Sequence, residues 1–205
     1  MKAKLLTQAV GPWPMNTYVV ICTETNISAI IDPGSDPDTI LAMTEGTKVD
    51  KILLTHGHFD HVLALEKVKE ATGAPVYLNP VDAEEFDVAF DVALEGGEQL
   101  PVGNLLLKAI HTPGHTSGQI CFDLGDGRII VGDTVFVGGP GKTGSAEDFV
   151  ATMKTMQKIV FTWPDDTLFF PGHGPSGVIG VERLAFDAFV SRGWPEDLQG
   201  DVTWN

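Results

Sequence analysis

Four short apolar runs in this chain each lead into a polar segment punctuated by glycine or proline: ILLTHGHFDH (residues 52–61), AIHTPGHTSG (109–118), IIVGDTVF (129–136) and LFFPGHGP (168–175). Strands that end this way leave their polar residues at the edge of a sheet, and residues just past the carboxyl ends of such strands converge on one crevice. All six histidines lie in these segments, and five of them, His56, His58, His61, His115 and His173, are candidate ligands together with Asp60 and Asp133. His111 has no partner at ligand spacing and reads as a hydrogen-bonded or surface residue.

Neutral imidazoles and carboxylates suit zinc, iron and manganese. Five histidines and two carboxylates exceed what one tetrahedral ion needs and match two ions, each with about three protein donors and a shared carboxylate bridge. His56 and His58, two apart on extended chain, point to one side. Asp60 and His61 begin the following helix and face a neighbouring position. Four such polar groups within six residues, directly after a buried strand, would carry a heavy desolvation cost with no ion to satisfy them.

Composition narrows the partners. Twenty-eight acidic against thirteen basic residues give a formal charge of −15, and no basic patch offsets it. Such a surface repels phosphate backbones, so a nucleic-acid partner is not expected. No run approaches the roughly 18 apolar residues of a membrane span, and the first residues lack a signal-peptide pattern, so the chain is expected in the cytoplasm and off the membrane. With 205 residues, 43% hydrophobic and 20% charged, one domain over residues 1–205 is expected. Cys22 and Cys121 sit in apolar runs and read as buried thiols.

Strand-like runs occur at residues 4–8, 18–23, 27–31, 51–54, 75–78, 105–110, 119–124, 128–131 and 167–170. Helical patterns fall at residues 36–44, 61–71, 146–160 and 179–190, with Ser145 and Asp148 as a capping box and Asn79 opening a short helix at Pro80. Phe149, Met153, Met156 and Val160 form one buried stripe; Val181, Leu184, Ala188 and Phe189 are expected to form another. Strands outnumber helices and several have short connections. The pattern predicts a mixed α and β fold, two sheets flanked by helices.

In order along the chain, THGHFDH, PGHTSG, GDTVF and PGHGP resemble the motifs of the metallo-β-lactamase superfamily, and within it the short bacterial hydroxyacylglutathione hydrolase (glyoxalase II)-like proteins. NTYVVICTETNISAIIDPG resembles the family's opening strands, so the likeness covers most of the chain. The resemblance implies a four-layer αββα sandwich. It also implies that His56, His58 and His115 hold one divalent ion, that Asp60, His61 and His173 hold a second, and that Asp133 bridges them. Zinc is the ion expected, with iron or manganese as alternatives. Aspartate at 133 departs from many lactamases, and histidine at 58 departs from the flavodiiron branch. Lactonases of the superfamily use a late tyrosine, whereas the tyrosines here are Tyr18 and Tyr77. GGPGKTG resembles the glyoxalase II segment that offers a basic residue to glutathione, which implies a substrate contact for Lys142. Only 32 residues follow His173, so the helical substrate domain of that enzyme is not expected. The tail from Gly193, with Trp194 and Trp204, is expected on the surface or against a neighbouring subunit.

The chemistry expected is hydrolysis of a small-molecule thioester such as S-lactoylglutathione. Two divalent ions lower the pKa of bound water from 15.7 toward ~7. The hydroxide so formed, oriented by Asp60, attacks the thioester carbonyl. A thiolate, whose conjugate acid has a pKa near ~8.5, leaves without a strong acid to protonate it. The alternatives are a persulfide dioxygenase holding one iron through His56, His115 and Asp133, and a lactonase of the same superfamily.

Overall fold

The structure, a computed structural model, describes residues 3–205. Six strands form the first sheet in sequential order: β1 (Lys4–Val10), β2 (Met15–Cys22), β3 (Ile27–Ile31), β4 (Lys48–Leu53), β5 (Val76–Leu78) and β6 (Val92–Ala93). The first three run antiparallel; β3 to β6 run parallel. Parallel neighbours need crossovers, supplied by α1 (Pro37–Met43), by α2 (Phe59–Val62) with α3 (Leu65–Thr72), and by α4 (Pro80–Phe86). The second sheet contains β7 (Gln99–Val102), β8 (Leu105–His111), β9 (Ile120–Asp123), β10 (Arg128–Gly132), β13 (Leu168–Pro171) and β14 (Gly177–Val178), with β13 beside β10. The ribbon β11 (Val135–Phe136) and β12 (Gly139–Pro140) follows β10; α5 (Ala146–Lys158) precedes β13 and α6 (Ile179–Arg192) follows β14.

Period-two alternation sorts these side chains into three cores. Tyr18, Val20, Cys22, Ile31 and Leu53 meet Leu107, Ala109, Ile120, Phe122 and Ile130 between the sheets. Val19, Ile21, Ile30 and Ile52 turn the other way and pack under Ile40, Leu65 and Val68 of the first helices. Ile129, Val131 and Phe169 pack under Phe149, Met153 and Met156 of α5 and Phe186 and Phe189 of α6. The result is helix, sheet, sheet, helix, as the sequence implied. Cys22 and Cys121 are free and buried.

Four local expectations are corrected. The helix expected over 61–71 is two pieces, because the Ala64 N–H donates to Pro33 O across 3.0 Å instead of continuing the helical ladder. The stripe expected on α6 is rotated: Val181 and Leu184 are 65% and 75% exposed, while Ile179, Glu182, Phe186 and Phe189 face inward. Strands β6, β7, β11, β12 and β14 escaped the sequence pattern; four of them are only two residues long, too short to show a period. Finally, Trp204 is not a surface residue. It is 1% exposed and lies against Phe161, Phe186 and Phe189. No helix among the described residues is long and apolar enough to cross a membrane.

Candidate metal centre

The carboxyl ends of β3 and β4 in one sheet, and of β8, β10 and β13 in the other, open on the same edge of the sandwich. β8 and β10 both run antiparallel to β9, and β13 runs parallel to β10, so all three deliver their following loops there. His56, His58, Asp60 and His61 follow β4; His115 follows β8; Asp133 follows β10; His173 follows β13. All seven sequence-picked residues come together, in three groups whose candidate ligand atoms each lie within 4.8 Å of one another. The groups are His56, His58 and His115; Asp60, His61 and His173; and His56, His61 and Asp133. His58 Nδ1 is 3.0 Å from His115 Nε2, and His173 Nε2 is 3.0 Å from Asp60 Oδ2. Asp133 stands between the groups: Oδ1 is 3.5 Å from His61 Nε2, and Oδ2 is 3.6 Å from His115 Nε2 and 3.9 Å from His173 Nε2.

Hydrogen bonds behind the imidazoles fix which nitrogen each presents. The Thr55 hydroxyl donates to Asp32 Oδ2 (2.7 Å) and so accepts from His56 Nδ1 (3.0 Å). His61 Nδ1 donates to the same Asp32 oxygen (3.0 Å), and His115 Nδ1 donates to Lys142 O (2.7 Å). All three rings therefore turn Nε2 inward. His56 Nε2, His61 Nε2 and Asp133 Oδ1 are buried and have no hydrogen-bond partner, although buried polar atoms are almost always paired. A cation at the centre meets that need, and the donor set fits one.

Burial and the neighbouring imidazoles push His56 well below the ordinary histidine pKa, and burial beside His115 pushes His58 down to about 4. Burial opposes ionisation of Asp133, yet His61, His115 and His173 outweigh it and hold its pKa at about 2. Burial likewise disfavours a charged His61, but Asp133 and Asp32 raise it to about 10. A divalent cation held by His61 Nε2 would take the place of that proton.

Residues that sequence reasoning passed over brace the loops. Asp32, at φ 51°, closes the turn after β3 and holds Thr55 and His61. Its only signal was the Asp-Pro-Gly turn. Asp82 on α4 clasps two ligand loops: Oδ2 accepts from Gly57 N (3.1 Å) and Thr116 Oγ1 (2.8 Å), and Oδ1 from Gly118 N (2.6 Å). A Cβ at Gly118 would lie 2.5 Å from Asp82 Oδ1, so glycine permits the clasp. From β2, Asn16 Nδ2 donates to Pro171 O (3.0 Å) and Gly174 O (2.9 Å), bracketing His173. Tyr18 is buried and its hydroxyl donates to Pro171 O (2.6 Å), so it stands behind the site. His111 bonds Ser117 O and joins no donor group among the described residues.

Above the donors opens a cleft of about 760 Å³. Trp13 and Phe59, in edge-to-face contact at 5.3 Å, form one wall, and Lys142, Thr143 and Gly144 another.

The sequence model of the metallo-beta-lactamase superfamily matches residues 10–173. The chain belongs to that superfamily. An uncharacterized protein of Aquifex aeolicus is 34% identical over 201 residues, covering 89% of this chain and 95% of that one. A probable polyketide biosynthesis zinc-dependent hydrolase of Bacillus velezensis is 32% identical, covering 78% of this chain and 73% of that one. A hydroxyacylglutathione hydrolase of Rhodospirillum rubrum is also 32% identical; the match covers 76% of this chain but 60% of that enzyme. Among solved structures, TTHA1623 in a di-iron-bound form superposes with a TM-score of 0.73 at 31% identity, covering 87% of this chain and 96% of that one. The fold and the histidine and aspartate groups together imply binding of divalent metal.

Proposed function

We propose that the chain is a metal-dependent hydrolase of small-molecule thioesters, with His56, His58 and His115 holding one divalent ion, Asp60, His61 and His173 a second, and Asp133 between them. Zinc is the ion proposed, as in the zinc-dependent relative; the di-iron-bound neighbour makes iron the competitor to test. When bound, two such ions supply a hydroxide nucleophile at neutral pH and polarise the carbonyl it attacks.

The observation that carries the thioester reading is the state of the two carboxyl groups at the cleft floor. Asp133 lies 3.5 to 3.9 Å from ring nitrogens of His61, His115 and His173, and Asp60 Oδ2 lies 3.0 Å from His173 Nε2, so both carboxylates are committed to the donor groups. Neither holds a proton to give to a departing amine or alkoxide. A leaving group that departs readily as an anion suits such a floor, and a thiolate is one. Asp60, bonded to His173 and facing the cleft, orients the attacking oxygen. Lys142, on the opposite wall, offers a positive charge to a carboxylate on the thiol portion. The aromatic wall of Trp13 and Phe59 offers an apolar surface to the substrate.

The similarity to hydroxyacylglutathione hydrolase makes S-lactoylglutathione the first substrate to try. Protein stripped with chelator and reloaded with zinc, iron or manganese is assayed for thiol release on S-lactoylglutathione and a panel of simpler acyl thioesters. Metal-dependent release from at least one supports the reading. Full loading without turnover of any thioester, or oxygen uptake on glutathione persulfide by an iron form, overturns it.

A further inference from the structure

The chain's last described residues lie against the loop that carries Lys142. Thr143 and Gly200 pair as an isolated antiparallel bridge, Thr143 N to Gly200 O at 3.2 Å and Gly200 N to Thr143 O at 3.0 Å. Trp204 N donates to Gly138 O at 2.8 Å, and the Gly138 N–H is taken by Glu182 Oε2 at 2.8 Å. Gly139 lies so close to Val202 O that a Cβ there would collide with it. The loop from Gly138 to Thr143 is thus gripped at both ends from outside.

On its inner side the same loop touches the donors. Lys142 O receives the Nδ1–H of His115 at 2.7 Å, the bond that fixes which nitrogen His115 turns inward. Gly141 N donates to Thr134 O, and the Gly141 Cα sits where any Cβ would strike Asp133 O. A displacement of the loop therefore moves the acceptor that sets one imidazole. The outer grip has an anchor: the Trp204 ring is sunk among Phe161, Phe186 and Phe189, with centroids 6.3, 5.3 and 5.5 Å away. Trp194, in the same tail, stacks on Phe189 at 5.6 Å and is not among the residues that grip the loop.

We propose that residues 200–204 are a strap that sets the ring of His115 through the Lys142 carbonyl, with Trp204 as its positioning residue. The proposal rests on the two-ion reading above and adds that affinity at one site depends on the tail. Groups that orient metal-bound histidines are worth about 10- to 100-fold in affinity. A strap working through His115 alone weakens the ion held by His56, His58 and His115 and spares the other.

The test titrates metal-free protein with Co2+ against a chelating dye, following the visible absorption of each site. Trp204→Ala is expected to weaken one of the two ions about 10- to 100-fold and shift its cobalt spectrum, with Trp204→Phe restoring much of both. Trp194→Ala, which loses aromatic packing without touching the loop, is expected to lower Tm and leave both affinities at the wild-type value. In the Trp204→Ala, His115→Ala pair, the double variant is expected to bind no more weakly than His115→Ala alone. Should Trp204→Ala fail to fold, Gly139→Ala, which pushes the loop off Val202, is expected to weaken the same ion. Wild-type binding at both sites in Trp204→Ala or Gly139→Ala, equal weakening of both ions, or additive losses with His115→Ala would overturn the strap while leaving the two-ion reading intact. Wild-type protein that takes up no ion at His115 would overturn both.

Discussion

His61 Nδ1 donates to Asp32 Oδ2 across 3.0 Å, with both side chains buried, and this bond leaves Nε2 as the only atom His61 can turn toward the donor groups. Asp32 is not itself in any of those groups; it acts through His61 and, by way of the Thr55 hydroxyl, through His56. Asp32→Ala should therefore weaken metal binding about 10- to 100-fold. Competition against a chelating dye reads this directly. Wild-type affinity in the variant would remove Asp32 from the account.

Asp82 accepts three hydrogen bonds that tie the loop after β4 to the loop after β8. Removing it strands the buried Gly57 N–H, Gly118 N–H and Thr116 hydroxyl. A buried donor left unmade costs about 1–3 kcal/mol. Asp82→Ala should lower the urea unfolding free energy by at least that much. An unchanged midpoint would mean that water replaces the clasp at no cost.

Lys142 lines the cleft, and the backbone carbonyl through which it holds His115 survives substitution. Lys142→Ala should raise KM for glutathione thioesters several-fold while kcat holds, the mark of a contact made equally in ground and transition states. Steady-state kinetics separate the two constants. A fall in kcat with KM unchanged would place the lysine at the reacting carbonyl instead.

The buried Cys121 thiol has its pKa pushed by desolvation from 9.0 to about 11. A group whose folded pKa is raised contributes stability that is complete below the unfolded value and lost as pH climbs through the folded one. At 1.36 kcal/mol per pH unit, that loss is about 3 kcal/mol between pH 9 and 11. Denaturant unfolding of wild type should show this loss relative to Cys121→Ser, which carries no thiol. Parallel curves for the two proteins would contradict the desolvation argument.

The donor residues were legible because glycine and proline mark the strand ends that carry them, and because histidine and aspartate clustered after apolar runs have few other uses. The braces were not. Asp82 lies on α4 and reaches Gly57 and Gly118, 25 and 36 residues away, a relation no local pattern encodes. The face of α6 was misjudged for a similar reason. Glu182 turns inward to accept the Gly138 N–H, which rotates Val181 and Leu184 into solvent. Trp204 was misplaced because its partners, Phe161, Phe186 and Phe189, are assembled only when α6 packs beside the turn after α5. Periodicity reports which residues are apolar; it does not report a polar group drafted into the interior by a distant backbone.

A crystal of zinc-loaded protein, read by anomalous scattering at the zinc edge, decides whether the seven side chains hold a pair of ions. Two peaks per chain are expected, one enclosed by His56, His58 and His115, the other by Asp60, His61 and His173, with Asp133 between them. A single ion at full loading, or ions bound away from these side chains, would contradict it.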